Sequence, residues 1–195
     1  HSGIRHVGSW LEHHCGSSLA KHINDAMVEP RGDWLGRLCT AAGFPSTAKE
    51  SLLWMYRVHL PAIQLNAACK HMLAELEQRC LRVLILTDGR SVTQRLKLQA
   101  LGLSRFRAYV SEDYQSEKPD ALRFQAIEDD YPARSYFYVG DNPSKDFIAC
   151  NALGWTSIGL RGRNLIHSQD VSNIPDGALP HHWIHEWHEL PHLLC

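Results

Sequence analysis

Three short blocks of the sequence hold residue types that could do chemistry together. The most specific is Gly140-Asp141-Asn142-Pro143-Ser144-Lys145-Asp146, which follows the strongly apolar run 135–139. A carboxylate at the end of such a strand and a second one about one helical turn further on can converge on one point. Paired carboxylates suit a hard cation such as Mg2+, which takes oxygen ligands and keeps several waters. Asp141 and Asp146 are therefore the candidate metal ligands; the competing reading is that Asp141 or Asn142 caps a helix and Asp146 is solvated. The second block is Glu117-Lys118-Pro119-Asp120. Pro119 suits a first helical turn and Asp120 the positive end of a helix. That leaves Lys118 where an ammonium neutralises a phosphoryl group or holds a carboxylate ready, against the usual fate of lysine as a solvated surface group. The third block, Thr87-Asp88-Gly89, ends the apolar run 81–86. A hydroxyl and backbone N–H groups at a strand-to-helix turn hold anions, although an ordinary turn uses the same residues.

These blocks act together only if the chain brings them to one edge. From residue 81 onward, short apolar runs alternate with helical patterns: strands over 81–87, 106–110, 135–139 and 156–160, helices over 91–101, 120–129 and 144–153. The helix over 120–129 carries Leu122, Ala126 and Ile127 as its apolar residues. Such alternation predicts an α/β fold with a doubly wound parallel sheet, in which ligands bind beyond the carboxyl ends of the strands. Residues 161–180 lack any period and read as a long connection, followed by an edge strand over 182–184 and a closing helix over 186–194. The first part of the chain is helical. Ile4, Val7 and Leu11 share a face; Ser17 and Ser18 are placed to cap a helix bearing Ile23 and Ala26; Trp34, Leu35 and Leu38 mark a third, stopped by Gly43. Thr47 and Glu50 form a capping-box pattern ahead of Leu52. The expected organisation is a helical-bundle cap over about 1–75 and an α/β core over 76–195.

Composition bounds the partners. With 20 basic and 21 acidic residues the formal net charge is −1, so no footprint for nucleic acid or an anionic membrane is visible. None of the six cysteines forms a C-x-x-C pair, and a reduced, cytoplasmic protein is expected. His181, His182, His185, His188 and His192 cluster near the C-terminus, but with His182 in a strand they would not share one face, and a structural metal is not expected there. Trp10, Trp34, Trp54 and Tyr56 read as packing between helices.

The order Thr87, Lys118, Asp141, Asp146 and the string from Val139 to Phe147 resemble the second, third and fourth motifs of the haloacid dehalogenase (HAD) superfamily, over roughly residues 81–160. The helical part fits that family's cap, inserted before motif two because Thr87 and Lys118 stand too close together for a domain between them. The resemblance implies a Mg2+-dependent phosphatase acting on a small phosphorylated metabolite, a sugar phosphate or nucleotide monophosphate, through an aspartyl-phosphate. In this reading Thr87 and the backbone at Asp88 hold the phosphoryl oxygens. Lys118 pairs with nucleophile and phosphate, and Asp141 binds Mg2+ with Asp146 supporting it.

One part of the family's pattern is absent. Its first motif, D-x-D-x-[TV] after an apolar strand, carries the nucleophile, and no such string occurs in these 195 residues. The expectation is that a strand and motif loop precede His1, and that the 195 residues alone are inactive as a phosphatase. Three alternatives stay open: a haloacid dehalogenase proper, whose chemistry needs no metal and whose members lack the Gly-Asp-x-x-x-x-Asp block; a phosphomutase; and a non-catalytic binding protein.

Overall fold

The computed structural model describes residues 2–29, 32–79, 81–162, 167–168 and 170–194. In chain order they form α1 (Ser2–Cys15), α2 (Ala20–Val28), α3 (Trp34–Ala41), α4 (Lys49–Val58), α5 (Ala67–Gln78), β1 (Ile85–Thr87), α6 (Ser91–Ala100), β2 (Ala108–Val110), α7 (Ser111–Tyr114), α8 (Leu122–Asp130), β3 (Phe137–Gly140), α9 (Ile148–Ala152), β4 (Thr156–Leu160) and β5 (His182–Ile184). The expected closing helix is a 3-10 segment, Trp187–Leu193. The connection expected over 161–180 lies partly outside the described residues, as do Cys80 and Cys195. Two compact units result: His1–Gln64 with Val92–Ser104, and Leu65–Ser91 with Arg105–Cys195.

The first unit is helical. Its core is the apolar stripe read from the sequence: Ile4, Val7 and Leu11 of α1 pack with Ile23, Leu35, Leu38 and Leu52. Burial of such side chains contributes roughly 1.5–3 kcal/mol each. The caps differ from expectation. The N-cap position of α2 is Leu19, whose side chain makes no hydrogen bond, while Ser18 Oγ accepts from the first N–H of the helix, Ala20, at 3.4 Å. Thr47 and Glu50 form no capping box, because residues 46–48 make a 3-10 turn that runs directly into α4. A side-chain cap does form at Asp33, which accepts from Gly36 N–H in α3, and in the second unit at Asn66, which accepts from Cys69 N–H in α5.

The second unit is α/β, and every strand pairing in it is parallel. The strands form two sheets, β1-β2 and β3-β4-β5. One core serves both: Tyr109 of β2, Tyr138 of β3, Phe124 and Ile127 of α8, Phe147 and Trp155. Phe124 meets both Tyr138 and Trp155 edge-on. Burial is uneven in an informative way. All three residues of β2 are buried, whereas all three of β1 are only half-buried. Among the described residues β1 pairs on one side only, and so does β3.

Candidate active site

The carboxyl ends of β1 and β3 bring the predicted residues to one place. Thr87 and Asp88 leave β1, and Asp141 follows Gly140, the last residue of β3. Lys118 sits in the segment between α7 and α8, and its peptide bond to Pro119 is cis. Its ammonium donates to Asp146 Oδ1 at 2.6 Å and to the Tyr138 hydroxyl at 3.0 Å. Lysine and carboxylate are both almost wholly buried, with side chains 10 % and 3 % exposed. Lys118 is therefore a fixed internal cation and not the solvated lysine of the competing reading.

Asp146 precedes α9 and folds back over the end of β3. Its Oδ2 accepts the backbone N–H groups of Asp141 and Asn142, at 3.1 and 2.9 Å. This closure dictates Gly140. A Cβ there would lie 2.5 Å from Asp146 Oδ2 and 2.9 Å from its Cβ and Cγ. The Asn142 side chain completes the turn by accepting from Ser144 N–H and Oγ–H at 3.2 and 2.6 Å.

The turn after β1 is held just as firmly. Asp88 Oδ1 accepts from Arg123 Nη2 at 2.5 Å, and its Oδ2 from Lys145 Nζ at 2.7 Å. The Lys118 backbone N–H also points to Oδ1, at 3.4 Å. Arg123 Nη1 donates to the Thr87 carbonyl at 3.0 Å. Gly89, at φ +134°, donates its N–H to Ser111 Oγ at 2.8 Å. Burial pushes the Asp88 carboxyl up, but hydrogen bonds from Lys145 and Arg123 outweigh it and hold the carboxyl below its ordinary value. The Tyr138 hydroxyl is pushed well up by burial and by the Asp146 charge, so it stays protonated.

The sequence reading missed Arg123 and Tyr138 and gave Lys145 no role. Arg123 is fully buried, whereas Leu122, expected on the apolar face of α8, is 47 % exposed. The inner face of that helix is Arg123, Phe124 and Ile127. The signal was present: an arginine at i with an apolar residue at i+4 lies on one stripe.

The donor set suits a hard cation in part. Asp141 is a half-buried carboxylate at a parallel strand end. Asp146 has its oxygens engaged by Lys118 and two amides, so it backs Asp141 and leaves the ligand position to it. Among the described residues no three metal-ligand side chains gather, in the C-terminal histidine region or elsewhere. Mg2+ needs few protein carboxylates, its remaining positions being filled by water and substrate oxygens, so these residues fit it as part of a coordination sphere.

Solved structures of this fold are similar along the whole chain. A HAD-hydrolase from Bacillus subtilis, YfnB, described as bound to magnesium, is 18 % identical over 98 % of this chain and 91 % of its own, with a TM-score of 0.60. A HAD phosphatase from Thermococcus onnurineus is 20 % identical over 98 % and 87 %, with a TM-score of 0.59. A 2-haloacid dehalogenase from Pseudomonas syringae pv. Tomato DC3000 is 19 % identical over 99 % and 89 %, with a TM-score of 0.63. At these identities the likeness is one of fold. No curated protein matches the chain. Residues 12–160, most of the chain, match the sequence family of the haloacid dehalogenase-like hydrolases, and the chain belongs to that family.

Proposed function

We propose that this hydrolase cleaves a phosphoric monoester of a small metabolite, with Mg2+ as cofactor. The observation that carries the reading is the Lys118 ammonium, buried and fixed by Asp146 and Tyr138, with Asp146 in turn holding the backbone of Asp141 at the end of β3. A fixed internal cation at the strand ends suits an anion of high charge density. Lys118 orients and neutralises the phosphoryl group. Thr87 donates its hydroxyl to a phosphoryl oxygen, and the backbone at Asp88 adds to the anion cradle. Asp141, backed by Asp146, holds Mg2+, which supplies charge neutralisation between phosphate and nucleophile. In this reading the nucleophile is the aspartate of the family's first motif, a string that does not occur in these 195 residues. Its carboxylate oxygen bonds to phosphorus as the ester P–O bond breaks, and the leaving alkoxide takes up a proton from solvent. Water then hydrolyses the aspartyl-phosphate to phosphate.

The ion pair of Lys145 with Asp88 supports the reading, because it joins the turn after β3 to the turn after β1. The experiment is steady-state hydrolysis of an aryl phosphate by the full-length gene product. Activity with Mg2+ that disappears in EDTA is the expected result. Release of halide from a haloacid in EDTA, with no phosphate release, would replace this reading with a dehalogenase.

A further inference from the structure

Asp88 occupies an unusual place in the site. It belongs to the turn that cradles phosphate, yet its carboxylate faces the protein. Three donors converge on it: the Lys118 N–H, the Arg123 guanidinium of α8 and the Lys145 ammonium. Arg123 in turn reaches the carbonyls of Thr87, the last residue of β1, and Tyr109, the middle residue of β2, at 3.0 and 3.4 Å. The arrangement is costly. A wholly buried guanidinium has lost its hydration, and among the described residues Arg123 Nε has no hydrogen-bond partner. A well-packed apolar side chain at such a position is commonly neutral or better for stability. A costly ion pair at a strand-end turn calls for a reason other than stability.

We propose that Asp88 is a positioning residue, which with Arg123 and Lys145 locks Thr87 and Lys118 into one register, and that its carboxylate is a ligand of neither phosphate nor metal. The inference rests on the phosphatase reading for its catalytic consequence, while the locking itself is independent of it. Both carboxylate oxygens are already engaged by protein donors, so the Asp88 side chain serves the protein when a phosphate arrives at the turn. Removing the tie lets the two groups that hold the phosphoryl oxygens drift apart. A misplacement of about 1 Å costs on the order of 100-fold in rate.

The test compares four full-length proteins: wild type, Asp88→Ala, Arg123→Met and the double variant. Amide hydrogen exchange, denaturant unfolding and aryl phosphate hydrolysis are measured on each. In Asp88→Ala, exchange at the Lys118 and Gly89 amides should rise at least about tenfold, with β4 unchanged. The double variant should regain stability relative to Asp88→Ala, because the buried guanidinium no longer lacks its counter-charge. Its kcat should nevertheless stay about 100-fold down, with KM within about threefold of wild type. Recovery of kcat together with stability would reduce the pair to a structural ion pair and overturn the proposal. So would unchanged exchange at Lys118 in Asp88→Ala. A wild-type protein that hydrolyses no phosphoester sinks the phosphatase reading alone, since the exchange data still decide whether Asp88 holds the Lys118 backbone.

Discussion

At the scale of single residues, the site is a set of charges that hold one another. Replacing Lys118 with Met leaves Asp146 buried with two amide donors and no cation. We expect a stability loss of about 3 kcal/mol by urea unfolding and a fall of at least about 100-fold in aryl phosphate hydrolysis. Asp88 gives a pH prediction. Its folded carboxyl titrates below the unfolded one, so it adds stability above the unfolded value of about 3.9 and loses it as pH falls through the folded value. Unfolding midpoints measured from about pH 5 down to pH 2 should therefore fall less steeply in Asp88→Ala than in wild type. Thr87 and Asp141 could be placed at strand ends from the sequence because each closely follows an apolar run, whereas Lys118 and Asp146 stand further along and rest on the spacing of their blocks. Arg123 was passed over although Ile127 marks its stripe, since a charged residue in an amphipathic helix reads as solvated until its partner, 35 residues away, is known.

At the scale of elements, short-range signals competed. Thr47 and Glu50 spell a capping box, but a 3-10 turn leads into α4 and leaves Thr47 exposed. Thr47→Ala should change stability by less than about 0.5 kcal/mol. Asn66→Ala, which removes the observed cap of α5, should cost about 1 kcal/mol; parallel denaturant titrations separate the two. Gly140→Ala should displace the Asp146 carboxylate and cost about 2 kcal/mol or more, with activity lost in step. Strand existence and the parallel pairing were readable from alternating apolar runs. Strand length was not: 81–87 shrinks to Ile85–Thr87 because its ladder partner β2 is only three residues long. Pairing is a property of two segments, and no single segment reveals it.

At the scale of the molecule, the α/β unit consists of two parallel sheets wrapped on one aromatic core. Strand β4 pairs on both sides, with β3 and β5. Amides there should exchange slowest, and those of β1 fastest among the strands of these 195 residues, as hydrogen exchange by mass spectrometry would read out. The sequence could indicate a sheet, since each run is apolar, but not its division into β1-β2 and β3-β4-β5, because which strands pair is not marked within any one of them.

The buried contact between Asp88 and Arg123 also constrains how the sequence can drift over generations. Changing Asp88 alone leaves a buried guanidinium without its counter-charge, and changing Arg123 alone leaves Asp88 one donor poorer with Lys145 still paired to it, so the step that starts at position 88 is the more heavily penalised. Lineages should therefore hold positions 88 and 123 as a matched couple, acidic with arginine or neutral with apolar, and mixed couples should be rare among descendants.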